Sequence, residues 1–138
     1  MITNADITIY NQEYDPDTHQ STYVRHFIQG VSWYASVNVS AASGGLVGGE
    51  VYKIRIPPEA LADEQPALDN FRTAQDYAAL QDKDGVWTVQ NGDYFCRGEG
   101  PEIAKPSDLE KAHLLYGKIH SWGDNRRGGL PHIRIQGW

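Results

Sequence analysis

Cys96, His120 and His132 are the side chains best suited by type to hold a metal or attack a carbonyl carbon. Their spacing supports neither chemistry. Zinc sites draw paired ligands from short repeats such as Cys-x-x-Cys or His-x-x-x-His, and none occurs here. Cys96 with His120 would make a nucleophile and its base. Yet Cys96 sits inside Tyr94-Phe95-Cys96-Arg97, a strand pattern in which cysteine serves as a small buried hydrophobe. No Gly-x-Ser-x-Gly, phosphate loop or dinucleotide fingerprint is present. Gly98-Glu99-Gly100 before Pro101 reads as a turn, and Asp82 with Asp84 as a solvated loop. We expect no catalytic residues, no metal ligands and no cofactor.

Residues suited to contact rather than catalysis are easier to find. Asp124-Asn125-Arg126-Arg127-Gly128-Gly129 puts two adjacent arginines on a glycine-flanked tip. Guanidinium groups there can reach a carboxylate or a phosphate. The loop reads as solvated, as a subunit contact, or as a contact with DNA passing close by. Ala41 to Gly49, including Ser43, Gly44, Gly45 and Leu46, holds four glycines in nine residues. It reads as a surface loop, or as a segment that orders only against a partner. Trp33 and Trp87 look like core residues, whereas Trp138 is harder to bury and could anchor a neighbour.

Short strands must position these groups. Asp6 to Asn11 alternates, with Ile7 and Ile9 on one face. Asp15-Pro16-Asp17 is turn chemistry, and Ser21 to Ile28 reads as the returning strand. Gly30 to Trp33 bends the chain into a third run, Tyr34 to Ser40. Glu50 to Ile56 alternates again until Pro57-Pro58 removes the ladder donors. Glu59 to Asp84 is a polar excursion in which Phe71, Ala74, Tyr77, Ala78 and Leu80 suggest one or two helical turns. Trp87 to Val89 and Tyr94 to Arg97 flank Asn91-Gly92. Ser107-Asp108-Leu109-Glu110 matches a capping box opening a helix of about ten residues that Gly117 closes. Lys118 to Trp122 and His132 to Gln136 finish the chain. The expected fold is mainly β: a small barrel or sandwich of seven to eight short strands, one short capped helix and a long, partly helical loop.

The bulk numbers set limits. A chain of 138 residues is one domain, spanning 1–138, and large enough to bury a core without staples. No apolar run approaches the roughly 20 residues of a membrane helix, and no secretory leader is evident. The single cysteine cannot form an internal disulfide and suits a reducing compartment. A net charge of −6 opposes general affinity for nucleic acid backbone. A barrel binding single strands through Tyr10, Tyr23, Tyr52 and Tyr94 is one alternative function.

The chain also resembles a family of small tailed-bacteriophage proteins of Gram-positive phages and prophages, described as minor capsid or head–tail connector proteins. The pieces are Asp6-Ile-Thr-Ile-Tyr-Asn11, Gly30-Val-Ser-Trp33, Tyr52-Lys-Ile-Arg-Ile-Pro57, Trp87 to Asp93 leading to Arg97-Gly98, Asp108-Leu-Glu110, and Ile119 to Gly137. Their order spans nearly the whole chain; Glu59 to Asp84 departs from the pattern. The resemblance implies a non-enzymatic virion protein of the neck, a head-closure (stopper) component forming a homo-oligomeric ring around the DNA channel. Its implied partners are portal or adaptor and tail proteins, with no membrane contact and with assembly in the host cytoplasm. Tail completion is the other role implied.

Overall fold

A computed structural model describes residues 3–42, 45–83 and 85–138, and the side chains of these except at 37–49. Eight strands form one sheet that closes on itself. They are β1 (Ala5–Asp15), β2 (Gln20–Ala42), β3 (Gly45–Ile56), β4 (Leu61–Ala62), β5 (Gln65–Pro66), β6 (Tyr94–Arg97), β7 (Tyr116–Asp124) and β8 (Ile133–Gly137). Six of them make a closed barrel in the order β1-β6-β7-β8-β3-β2, and β2 returns to β1. Closure pairs every barrel strand on both sides over part of its length.

One strand does the work expected of two. The bend at Gly30 is a bulge inside β2, not a break between strands. Gly30 has φ +82°, and the β1–β2 register slips between Ala5 and Asp6 there. Before the bulge β2 pairs with β1; from Ser32 onward it pairs with β3. A bulge with glycine in the left-handed region raises local twist, which lets one strand turn a barrel corner. Asn4 secures that corner: its side chain accepts from the Trp33 amide at 2.8 Å and donates to the Trp33 carbonyl at 2.9 Å.

The glycine-rich Ala41 to Gly49 stretch is no plain loop. β2 runs to Ala42, β3 begins at Gly45, and the two pair residue by residue down to Ser32 and Arg55. Since β8 pairs with β3 only from Tyr52 onward, Gly45 to Val51 and their β2 partners form a two-stranded ribbon standing off the barrel.

Alternation fills the interior with Ile7, Ile9, Ile28, Ile54, Ile56, Ile119, Ile133 and Ile135, all fully buried. Trp33, Tyr52 and Phe95 pack together, with ring centroids 5.4–6.2 Å apart. Glycine is required beside them: a Cβ on Gly137 would lie 2.7 Å from the Phe95 ring, and one on Gly117 2.8 Å from it. The excursion after β3 folds over the barrel as the β4–β5 hairpin, a 3-10 turn at Ala67–Asn70 and the helix α1 (Ala74–Ala79). Its Ala60, Ala62, Ala67, Leu68 and Phe71 belong to the main core. Trp87 to Val89 is not a strand. Trp87 makes one parallel bridge to Phe71, and the segment is held by burial.

The second helix, α2 (Ser107–Lys111), is shorter than expected, and the capping box does not form. Pro106 is already helical, so Ser107 lies inside the helix. The Asp108 carboxylate takes over, accepting from the Ala104 and Lys105 amides at 3.0 and 3.3 Å. An anion suits the helix start better than a hydroxyl does. His113, at φ 58°, closes the helix in place of Gly117, with its amide bonding Glu110 O and that of Leu114 bonding Leu109 O. Leu109 is buried and Tyr116 packs beside it, while Ala112 and His113 are exposed. Leu109 joins Tyr10, Cys96 and Ile103 in a second small core outside the barrel.

Candidate interaction site at the arginine loop

β7 and β8 carry the Asp124 to Gly129 tip between them, and the chain closes it tightly. Asn125 N donates to His132 O at 2.9 Å, and Gly128 N to Asn125 O at 3.2 Å. The His132 ring bridges Leu130 O (2.8 Å) and the Asn125 side chain (3.2 Å). A proton on Nδ1 satisfies both contacts, with Nε2 accepting from the amide.

The two arginines have different jobs. Arg126 turns back on its own strand, donating from Nε and Nη2 to the two Asp124 oxygens at 2.9 and 2.8 Å. This bidentate pair holds Asp124 below the usual carboxylate range and raises the guanidinium pKa. Arg126 Nη1 also donates to Leu68 O at 3.4 Å, and the guanidinium lies 5.0 Å over the Phe71 ring. Arg126 therefore pins the tip to the excursion while lining the cleft beside it. Arg127 is exposed and makes no hydrogen bond among the described residues. Leu130 is 71% exposed. Between tip and excursion lies a cleft of about 770 Å³ whose walls include Pro58, Leu68, Asp69, Asp124, Arg127 and Pro131. The excursion side of this cleft was not legible in sequence; an apolar Leu130 in a polar loop was the one available signal.

The other candidates lie elsewhere. Trp138 follows Gly137, which pairs with Tyr52 at the root of the ribbon; the arginine tip lies at the far end of the β7–β8 hairpin. Its ring stacks on His120 at 3.7 Å and 5° and stays 53% exposed. Backbone bonds to Lys118 fix it. Gly45 and Leu46 pair with Ala42 and Ala41 on the ribbon. Ser43 and Gly44 lie outside the described residues.

Other chemistry gains little support. Cys96 is buried, and burial pushes its thiol pKa up, away from a thiolate nucleophile. Among the described residues no group of three metal-ligating side chains exists, and no helix is long and apolar enough to cross a membrane. Tyr10 and Tyr52 are buried rather than open to a base, and Tyr23 packs edge-on against Tyr94 at 6.2 Å.

One buried group sets an acid limit. Burial lowers the His26 pKa from 6.5 to about 4, against a smaller opposing effect of Asp63. Its folded value lies below its unfolded one, so its contribution is complete above 6.5 and lost as pH falls towards 4. By about pH 5 the loss is about 2 kcal/mol. Urea unfolding at neutral pH and at about pH 5 should show it, and His26→Gln should remove that part of the difference.

The fold and the site define a small closed β-barrel with a projecting ribbon and a cleft suited to contact. The chain belongs to a family of unknown function, DUF6751, whose model matches residues 2–138. No curated protein and no solved structure matches it.

Proposed function

We propose that this protein is a non-enzymatic subunit of a tailed-phage neck, forming a ring at the head–tail junction between portal or adaptor and tail proteins. The observation that carries this reading is the β2–β3 ribbon standing clear of a closed barrel. A ribbon with unpaired outer edges is a means for one subunit to grip the next. The barrel's two ends also differ, with Trp138 and the ribbon root at one and Arg127 and the cleft at the other. Rings with head-to-tail contacts need two unlike surfaces on each subunit. The resemblance over nearly the whole chain supports the phage context. The net charge of −6 suits a channel past which DNA slides without sticking.

Mass spectrometry of purified virions, with immunogold labelling against this chain, tests the reading. We expect label at the junction, its position relative to the portal separating head closure from tail completion. Virions that lack the chain would sink the proposal.

A further inference from the structure

We propose that the outer edge of β2, from Gln20 to Phe27, takes an extended segment of a partner protein, and that the recess at its end receives a lysine or arginine side chain of that segment. This edge is separate from the β2–β3 ribbon, and the proposal stands whether or not the chain is a virion component.

The barrel leaves the edge open. On one side of β2, β1 pairs with every stretch from Gln20 to Val31. On the other, β4 pairs only with Ile28 and Gln29, and β3 begins only at Ser32. The backbone groups of Gln20 to Phe27 on that side therefore have no strand partner. Such a row is a template for an added strand.

β4 stops there for a visible reason. Ala62 pairs with Ile28, so the next residue along β4 would meet Phe27. Instead Asp63 and Glu64 adopt φ 51° and 64° and turn the chain into β5. Neither is glycine, so the turn is held at some cost in strain. Beside the place left unfilled is a recess of about 170 Å³, whose walls include His26, Phe27, Asp63, Trp87 and Glu99.

The recess has the chemistry of a cation acceptor. Asp63 and Glu99 form no hydrogen bond or ion pair among the described residues. His26 Nε2 is buried without a partner. Phe27, half-buried, contributes aromatic surface, which attracts ammonium and guanidinium groups. Among the described residues the cation at the rim is Arg25, whose guanidinium is tethered to Gly100 O at 2.6 Å. An extended segment on the β2 edge would place alternate side chains on this side. A basic one would meet two carboxylates and an unfilled nitrogen, an acidic one repulsion.

The test uses the full chain and a capped octapeptide of alternating threonine and valine with one central lysine. Hydrogen exchange read by NMR should show protection at the amides of Gln20 to Phe27 when peptide is added. Exchanging the lysine for glutamate should abolish it. The double variant Asp63→Asn, Glu99→Gln should bind about tenfold more weakly, as expected for two partly exposed ion pairs. Both positions are exposed, and asparagine tolerates the left-handed region, so the variant should melt with the wild type. Absence of protection would overturn the proposal, as would equal affinity for the double variant. Protection of this edge in the free chain, growing with its own concentration, would assign it to a second copy and overturn the proposal too.

Discussion

Replacing Trp87 with alanine is expected to cost about 3–5 kcal/mol of folding stability, the range for truncating a buried large aromatic. Trp87 is 1% exposed and is the largest fully buried side chain. Its ring packs 4.9 Å from Phe71, and its Nε1 donates to Ala67 O at 2.8 Å. Its backbone is tied to Asn70 and Arg72. One residue thus fastens the 3-10 turn, Phe71 and, through Phe71, the arginine tip to the barrel. For a chain of this length the loss should lower the melting temperature by about 10–20 °C. Trp87→Phe keeps most of the apolar volume but loses the Nε1 hydrogen bond to Ala67 O, and should cost about 1–3 kcal/mol. A melting temperature within a few degrees of wild type for Trp87→Ala would mean that the excursion is not part of the cooperative core.

Asp93→Ala should cost about 3–5 kcal/mol for a different reason. Asp93 is 2% exposed, and its carboxylate accepts from Gln12 N at 3.0 Å, Gln90 N at 3.0 Å and Asn11 Nδ2 at 2.8 Å. It serves where the sheet does not, since β6 pairs with β1 only from Ile7 to Tyr10. Alanine would strand two backbone donors in or near the core, at about 1–3 kcal/mol each. It would also loosen Asn11, which otherwise donates to Thr88 O at 2.7 Å. Burial raises the Asp93 pKa despite three hydrogen bonds that oppose the rise. The folded state therefore holds its proton more tightly than the unfolded chain does. That contribution is present below the unfolded value of 3.8 and lost as pH rises through the folded one. The stability gap between wild type and Asp93→Ala, measured by urea titration, should be at least as wide at about pH 4 as at neutral pH. A narrower gap in acid would contradict the burial argument.

Much of the barrel was legible because its strands advertise one buried face. Ile7 with Ile9, and Ile54 with Ile56, alternate with polar residues as a half-buried strand requires, and all four are fully buried. Trp33 and Trp87 were readable as core by size alone. The helix near Ser107 was readable, but its ends were not. Ser107 and Glu110 carry a capping pattern, yet Pro106 is already helical, and it is Asp108 that fastens the turn before the helix by accepting from Ala104 N and Lys105 N. Gly117 looked like a helix stop. Its lack of a side chain serves instead to let Phe95 and Trp138 approach.

The candidate site divides in the same way. Composition and local pattern determined the class of the chain: β-rich, acidic, without metal or nucleophile spacing, with an arginine pair on a tip. Those properties depend on neighbours in sequence, which the sequence displays. Which arginine is free, what faces the tip across the cleft, and which edge of β2 stays open depend on residues far apart in the chain. Arg126 reaches Leu68 O and lies over Phe71 only because the excursion folds back over the barrel end. The open edge of β2 exists only because β4 turns away at Asp63. Such long-range pairings are set by closure of the barrel and by the packing of its core, and no local pattern encodes them.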